Sequence, residues 1–390
     1  RLNLGGPTFN AAYLSKFLEP EFETLLVSGM KDEAEESSEF IVKNLDLHPV
    51  YVPEMYRELH PFRDYTSYNK LRKIIEEFKP DIVHTHAAKA GAIGRLAASH
   101  SGVPVIIHTF HGHVFHSYFN PVKTRIFLEI EKYLAKRTTK IIALSTAQKN
   151  ELTEVYKVAP PEKFEIIPLG FDLTKFEENQ TEKRNEFRRQ YNISDDEIAI
   201  GIVGRLVPIK NHTLFLKAIK FVTENSSKKI RAFIIGDGEA RANIEQAAIA
   251  IGLAFNNENK QQKNVLTFTS WIKSIDVSNA GMDIITLTSS NEGTPVSLIE
   301  AQASGKPIVS TKVGGIENIV IENETALLSS VNDDGTFMDN LLKLVEDEQM
   351  RKEMQQKGSE FVRNKFSYQR LCGDMTHLYR SLLSKANRHD

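Results

Sequence analysis

Two α/β domains, each a doubly wound parallel sheet, are the architecture that this sequence predicts. Short apolar runs that read as buried strands alternate with amphipathic stretches at helical spacing through both halves of the chain. Glycine-bearing turns punctuate the alternation, as at Gly5-Gly6-Pro7, Gly204-Arg205 and Gly236-Asp237-Gly238. The 390 residues exceed one ordinary core and suit two. In an open parallel sheet, ligands bind beyond the carboxyl ends of the strands. The candidate functional residues are therefore those of the strand-end turns, with the two domains expected to face each other across a cleft.

Composition narrows the class. Apolar content of 41% and charged content of 26% are those of a water-soluble globular chain. A net charge of −2 and a pI near 6.7 argue against a nucleic-acid binder that works by neutralising phosphates. Cys372 is the single cysteine, which excludes an intrachain disulfide framework or a cysteine-based metal site and fits a reducing cytosol. No apolar run approaches the ~20 residues of a membrane-spanning helix, and no signal-peptide pattern is visible. The sequence opens at Arg1, directly before the first glycine turn. A doubly wound domain begins with a strand, so about 5–10 further residues are expected upstream in the natural product.

Taken in order, Gly5-Gly6-Pro7-Thr8 is a tight turn into a helix through Ala11, Ala12, Leu14, Phe17 and Leu18. Two glycines let backbone approach a ligand, and a helix start favours an anion, although a double glycine alone often marks only a turn. Residues 24–28 read as a strand, 32–38 as a solvated acidic loop, and Tyr51-Val52 as a strand end. Leu71, Ile74, Ile75 and Phe78 place a helix over 68–78, which Lys79-Pro80 stops. Two strands come next, at 82–84 and 103–108, separated by a small-residue helix over 87–99. Both end in histidines: His84 and His86, then His108, His111 and His113. Their spacing matches no zinc motif such as H-E-x-x-H. Satisfied loop histidines and hydrogen bonding to a sugar are the readings left open. Residues 121–137 form a helix with Ile126, Phe127, Ile130, Tyr133 and Leu134 on one face. Its Lys123, Arg125, Lys132, Lys136 and Arg137 could meet anionic headgroups, but Glu129 and Glu131 among them favour a solvated face. A strand at 141–144, a helix at 147–156 and a strand at 164–167 lead to the turn Pro168-Leu169-Gly170-Phe171-Asp172, where the interdomain hinge is placed. Residues 177–189 are polar and read as a surface crossing.

The second half restarts the series. A strand at 198–203 ends in Gly204-Arg205-Leu206, and a helix starts at Lys210-Asn211. Arg205 and Lys210 thus share one strand-end loop, where two cations can neutralise a diphosphate and the arginine fork can do so bidentately. A strand at 231–235 ends in Gly236-Asp237-Gly238. Beyond it lie a helix at 244–253, a polar low-complexity loop at 256–264, a strand at 265–268, Ser270-Trp271-Ile272 and a short helix at 276–280. After the strand at 307–310 and its terminal loop at 312–316, helices at 337–345, 348–361 and 367–383 close the chain.

The chemistry concentrates between Asn291 and Ala301, N-E-G-T-P-V-S-L-I-E-A. Ile284-Ile285-Thr286-Leu287 is a buried strand. Gly293, Thr294 and Pro295 then open a helix, and proline suits a first helical turn. The N–H groups of Val296 and Ser297 at that helix start have the geometry that receives a phosphate. Glu292 precedes the helix, and Glu300 lies roughly two turns along it. An ionised acid there can accept from both hydroxyls of a ribose. Two solvated surface glutamates would be the bland alternative; strand, glycine turn, helix start and both acids in one stretch argue against it.

E-x7-E after a buried strand, then S-G-K-P-I-V-S-T-K-V-G-G-I, resembles the donor-site signature of retaining glycosyltransferases of family four. G-R-L-x3-K-N at 204–211 is similar to that family's diphosphate-binding segment. The resemblance implies the GT-B fold: residues 1–170 as an acceptor-side Rossmann-like domain, 171–366 as the nucleotide-sugar domain, and a helix over 367–390 returning to the first domain. It implies that Gly236 lies near the nucleotide base, that Ile272 reads the base through its backbone, that His111 contacts the donor sugar, with His86 and His113 ranked below it, and that Gly6 is a donor-binding residue whose loop lies across the cleft from the donor phosphates and near the acceptor. Leu169 stands where the family's linker commonly has asparagine.

The implied reaction is transfer of a hexosyl or N-acetylhexosaminyl unit from a nucleoside-diphosphate donor with retained configuration. Arg205, Lys210 and the N–H groups of Val296 and Ser297 would stabilise the leaving diphosphate, Glu300 would hold the ribose, and Glu292 would lie near the sugar ring. A UDP-sugar is the expected donor, although the residues do not separate uracil from guanine. H-T-H-A-A-K-A-G and H-T-F-H-G-H-V-F look like enzymes of bacterial surface-polysaccharide synthesis. They imply a saccharide or lipid-linked saccharide acceptor, a cytoplasmic location at the membrane's inner face and peripheral membrane association. Asp195-Asp196 and Asp333-Asp334 sit in polar loops and no D-x-D pair comes after a strand, so no metal or other cofactor is expected. A nucleotide-sugar epimerase, a glycogen-type synthase and a non-catalytic nucleotide-sugar binder are the alternatives.

Overall fold

The structure, a computed structural model, describes residues 2, 6–30, 39–56, 58–111, 121–257 and 263–387. The expectations for Gly5, residues 32–38 and His113 lie outside the described residues. The chain forms two compact units: Arg1–Phe171 with Phe366–Asp390, and Asp172–Lys365.

The first unit contains α1 (Gly6–Phe17), β1 (Val27–Gly29), α2 (Glu39–Asn44), β2 (Val50–Val52), α3 (Pro61–Phe78), β3 (Ile82–His86), α4 (Ala88–His100), β4 (Val105–Thr109), α5 (Pro121–Arg137), β5 (Lys140–Ala143), α6 (Thr146–Asn150) and β6 (Phe164–Ile166). β3-β4-β5-β6 form one parallel sheet, and β1 pairs with β2 in a separate parallel pair. Strand periodicity sends alternate side chains to opposite faces. Val105 and Ile107 of β4 join Leu14 and Leu18 on one side, whereas Ile106 packs with Leu71, Ile75, Ala97 and Ala98 on the other. Two elements differ from expectation. α3 begins seven residues earlier than its apolar stripe, because His60 caps it: Asp64 accepts from the His60 N–H and His60 Nδ1 accepts from the Arg63 N–H. The helix after β5 converts to a π-helical turn over Glu151–Val155.

The second unit holds α7 (Thr174–Glu177), α8 (Gln180–Gln190), β7 (Glu197–Val203), α9 (His212–Asn225), β8 (Lys229–Ile235), α10 (Arg241–Ala250), β9 (Phe255–Asn257), β10 (Leu266–Phe268), α11 (Ile275–Gly281), β11 (Ile284–Leu287), α12 (Val296–Ala303), β12 (Ile308–Thr311), β13 (Ala326–Ser329), α13 (Asp334–Glu346) and most of α14 (Glu348–Phe366). Its strands form one seven-stranded parallel sheet in the order β13-β12-β11-β7-β8-β10-β9. Ile200, Ile202, Ala232 and Ile234 face α9 and α13 in the largest core. Phe233 faces the other way and meets Phe187 of α8 and its C-cap Tyr191 edge-on, at 5.4 Å each. The polar stretch read as a surface crossing is therefore a packed helix. Arg188 is buried in it, donating to Asp283 Oδ2 at 3.0 Å and to the carbonyls of Ser194 and Glu197 at 2.6 and 2.7 Å.

α15 (Tyr368–Ala386) returns to the first unit. Its apolar stripe of Leu371, Met375, Leu378, Tyr379 and Leu382 joins the α1 side of that core, and Tyr368 stacks on Phe17 at 4.2 Å.

Candidate functional site

The second sheet has one topological switch point. From β7 the chain winds outward through β8, β9 and β10, then returns to the other side of β7 to lay down β11, β12 and β13. The space beyond the carboxyl ends of β7 and β11 is where a doubly wound sheet binds its ligand. Lys210 comes after β7 and Glu292 after β11, and the two meet there. Lys210 Nζ donates to Glu292 Oε1 at 2.6 Å, with the side chains only 20% and 11% exposed.

The loops bearing this pair are stitched together. The Ser290 N–H donates to the Ile209 carbonyl at 2.9 Å, and the Thr288 hydroxyl donates to the Lys210 carbonyl at 2.8 Å. Ser289 donates a second hydrogen bond to Glu292 Oε1, at 2.6 Å. Gly314, at φ +52°, lets the loop after β12 press on the Glu292 backbone; a Cβ there would lie 1.8 Å from the Glu292 carbonyl oxygen. Gly236 does the same one strand over, where a Cβ would lie 2.0 Å from the Gly204 carbonyl oxygen.

Gly293, Thr294 and Pro295 lead into α12. Pro295 is its N-cap rather than a residue of the first turn, and offers no side-chain cap. Val296 and Ser297 are the first two helical residues, whose N–H groups lack intrahelical partners by geometry. Arg205 shares the Lys210 loop, but its side chain is 65% exposed and reaches Glu239 at 3.7 Å. Glu300 lies further along α12, and among the described residues no ion pair joins it to Arg205 or Lys210. Burial raises its carboxyl to about 7, with Lys175 of α7 opposing the rise and Asp276 of α11 adding to it. Gly236 and Ile272 sit beyond the ends of β8 and β10, where the Gly236 N–H donates to the Ser270 carbonyl at 3.1 Å.

Gly6 and His111 belong to the first unit. Gly6 opens α1, and His111 comes after β4. The histidines after β3 and β4 interlock: His86 Nδ1 lies 2.8 Å from His111 Nε2, and His84 bonds Tyr379 Oη and Thr109 Oγ1 at 2.7 Å each. Burial holds all of these rings neutral, His86 at about 4. His111 Nδ1 is buried and has no partner among the described residues, so it keeps a hydrogen-bonding position open. Among the described residues no three potential metal ligands cluster. None of their helices is long and apolar enough to cross a membrane.

Sequence reasoning misses Ser289, although a hydroxyl three residues before Glu292 is a visible signal. It also misses the partners of Asp237, which become evident only when β8 and β10 lie side by side.

Comparison with known proteins identifies the family and the fold. Residues 5–175 match the family described as Glycosyltransferase Family 4, and residues 183–361 match Glycosyl transferases group 1. The chain is similar to the UDP-Gal:alpha-D-GlcNAc-diphosphoundecaprenol alpha-1,3-galactosyltransferase of Escherichia coli. The two are 31% identical over 301 residues, covering 76% of this chain and 74% of that protein. It is also similar to the capsular polysaccharide biosynthesis glycosyltransferase CapM of Staphylococcus aureus, at 25% identity over 88% of each chain. Among solved structures, HepE of Anabaena in complex with UDP superposes with a TM-score of 0.80 at 17% identity, covering 98% of each chain. A glycosyltransferase from Rickettsia africae gives 0.79 at 18% identity, over 97% of this chain and 96% of that one. At that identity the structural likeness establishes the fold, which is GT-B. The sequence matches establish the family: this chain belongs to the glycosyltransferases of family 4.

Proposed function

We propose that this glycosyltransferase moves a hexosyl or N-acetylhexosaminyl unit from UDP to a lipid-linked saccharide, with retention at the anomeric carbon. The observation that carries the reading is the Lys210–Glu292 pair at the switch point beside the open start of α12. The activity that names the Escherichia coli relative supports a UDP-sugar and a diphospholipid acceptor, and the UDP complex of the Anabaena structure supports the same nucleotide.

The chemical problem is departure of a highly charged diphosphate from a sugar carbon that becomes cationic. The bond between the anomeric carbon and the β-phosphate oxygen breaks, and the acceptor hydroxyl oxygen bonds to that carbon. The acceptor's proton passes to the departing phosphate. Lys210, Arg205 and the N–H groups of Val296 and Ser297 meet the charge that develops on the phosphates, the largest stabilisation such a site offers. Glu300 accepts from the ribose hydroxyls. Glu292 Oε1 is held by Lys210 and Ser289, which leaves Oε2 for a hydroxyl of the transferred sugar. Gly293, Thr294 and Pro295 set the entry to α12, Gly236 and Ile272 flank the base, His111 contacts the sugar, and Gly6 belongs to the acceptor loop. No carboxylate is assigned to the far face of the ring, so the reading is front-face attack rather than double displacement. Two cations and a helix start supply the positive charge, and no D-x-D pair comes after a strand, so transfer proceeds without a metal. Peripheral attachment at the inner face of the membrane would use the exposed apolar residues of α5 rather than its charges, which are of mixed sign. Ile126, Ile130 and Tyr133 are exposed there around a shallow concavity of about 550 Å³.

Thermal unfolding with UDP and GDP tests the nucleotide, since a ligand of the native state raises the midpoint. Stabilisation by GDP alone would overturn the UDP assignment. The anomeric configuration of the product made from UDP-galactose and a GlcNAc-diphospholipid tests retention, and an inverted product would overturn it.

A further inference from the structure

We propose that Asp237, acting with Arg241, is a positioning residue for nucleobase recognition: it fixes Ser270 in a left-handed conformation from which Trp271 and Ile272 meet the base. The inference rests on the donor-binding reading above.

Ser270 is the turning point of the loop after β10. Its φ is +53°, a region that costs an L-residue roughly 1–2 kcal/mol. The backbone pins one side of it, through the hydrogen bond from the Gly236 N–H to the Ser270 carbonyl at 3.1 Å. The side chain is pinned as well. Ser270 Oγ donates to Asp237 Oδ2 at 2.9 Å, and the same oxygen accepts from an Arg241 Nη at 2.8 Å. That Nη also reaches Ser270 Oγ. Asp237 Oδ1 accepts from the Gly238 N–H at 2.8 Å, and Arg241 Nε is anchored on Glu245 at 3.0 Å. One carboxylate thus closes a ring of donors that a neutral amide cannot replace, because whichever way the amide turned its NH₂ would face a donor, Arg241 at one oxygen's place or the Gly238 N–H at the other's. Burial alone would push the Asp237 carboxyl up, but these hydrogen bonds together hold it below its usual range, ionised for the role.

The backbone of the same residue serves the neighbouring loop. The Leu206 N–H donates to the Asp237 carbonyl at 2.9 Å, next to Arg205. Asp237 therefore joins the diphosphate loop through its main chain and the loop after β10 through its side chain. A change of side chain separates the two. The residues beyond Ser270 are positioned for a nucleoside. Trp271, the only tryptophan of the chain, is 63% exposed, and the loop runs into α11, whose Asp276 acts on the Glu300 carboxylate. A planar base near Trp271 and Ile272 would put its ribose at Glu300.

The test titrates wild type, Asp237→Asn and Ser270→Ala with UDP and with inorganic pyrophosphate, monitoring Trp271 emission and confirming by calorimetry. UDP is expected to change the emission. Asp237→Asn should weaken UDP about tenfold, the equivalent of one hydrogen bond to a charged group, while pyrophosphate affinity stays within about twofold of wild type. Ser270→Ala should weaken UDP in the same direction, and the double variant should bind UDP no more weakly than the sum of the two predicts. In turnover, KM for the donor should rise with kcat little changed. UDP affinities of both single variants within about twofold of wild type would overturn the inference, as would parallel losses for UDP and pyrophosphate. A wild-type protein that binds pyrophosphate but no nucleotide would overturn the donor reading itself, and the inference with it.

Discussion

Replacing Lys210 with methionine separates what this residue does for the fold from what it does for the reaction. In the wild type its ammonium sits 2.6 Å from Glu292 Oε1, and the carboxylate is 11% exposed with Ser289 as its other partner. Methionine keeps most of the volume but leaves a largely buried carboxylate one charge short, which costs about 2 kcal/mol of stability. The catalytic loss is separate. A fixed cation aimed at the departing diphosphate is worth about 3 kcal/mol, or on the order of a hundredfold in turnover. Adding Glu292→Gln removes the stranded charge, so Lys210→Met/Glu292→Gln should regain stability to within about 1 kcal/mol of wild type. Its turnover should stay at or below that of Lys210→Met. Thermal unfolding reads the first quantity, and UDP release from UDP-galactose with a GlcNAc-diphospholipid acceptor reads the second. If the double variant recovers turnover to within about tenfold of wild type together with its stability, Lys210 serves only to neutralise Glu292, and the assignment to the leaving group is wrong.

Glu300 carries a pH signature. Its folded value of about 7 stands above the ordinary carboxylate value of 4.5, so stability is full below pH 4.5 and falls as pH rises to 7, by up to about 3 kcal/mol. Glu300→Gln should therefore raise the unfolding midpoint at pH 8 but not at pH 4, while weakening UDP; an equal effect at both pH values would refute the buried-acid reading. Arg95 is fully buried against Glu131 at 2.7 Å, so Arg95→Met should cost about 3–5 kcal/mol in denaturant titration, much of it regained by Arg95→Met/Glu131→Leu. Gly314→Ala pushes a methyl group into the Glu292 carbonyl at a positive φ. It should lower turnover at least tenfold by moving Glu292, since about 1.4 kcal/mol of misplacement suffices. EDTA should leave UDP release unchanged, and loss restored by Mg²⁺ would sink the metal-free reading.

Legibility in the sequence depends on where each signal lives. β11 reads as Ile284–Leu287 in sequence and structure alike, because a fully buried parallel strand is a bare apolar run ended by polar residues. α5 is equally clear, since Pro121 marks its start and Ile126, Ile130 and Leu134 recur at helical spacing. α8 is not legible. Of its eleven residues, only Phe187 and Arg188 are buried, and Arg188 enters the interior through partners at 194, 197 and 283 that no local window contains. β13 escapes for another reason: Ala-Leu-Leu-Ser is four residues long and lacks β-branched side chains, and β12 alone makes it a strand. The first turns of α3 carry Phe62 and Tyr65 on the outside, so periodicity points inward only from Tyr68.

The two acids of E-x7-E show the same limit at the site. Sequence spacing sets one acid before the helix and one along it but says nothing of their surroundings, and the fold gives them opposite electrostatic fates. Glu292 lies on a loop before α12, where the return of the chain across β7 brings Lys210 to it and neutralises it. Glu300 lies within α12 and has no ion-pair partner among the described residues, so burial chiefly governs it and holds it near half-ionised at neutral pH. On the proposed reading, a diphosphate bound at Lys210 would draw it away from Glu292, while ribose hydroxyls would favour the ionised form of Glu300. Donor binding would then release a proton-linked penalty at one glutamate and expose a charge at the other. UDP affinity should therefore rise with pH through about 7 in the wild type and lose that dependence in Glu300→Gln, whereas Glu292→Gln should leave it intact. Calorimetric titration of the three proteins at pH 6 and pH 8 reads this directly, and a pH dependence that survives in Glu300→Gln would assign the titration to a different group.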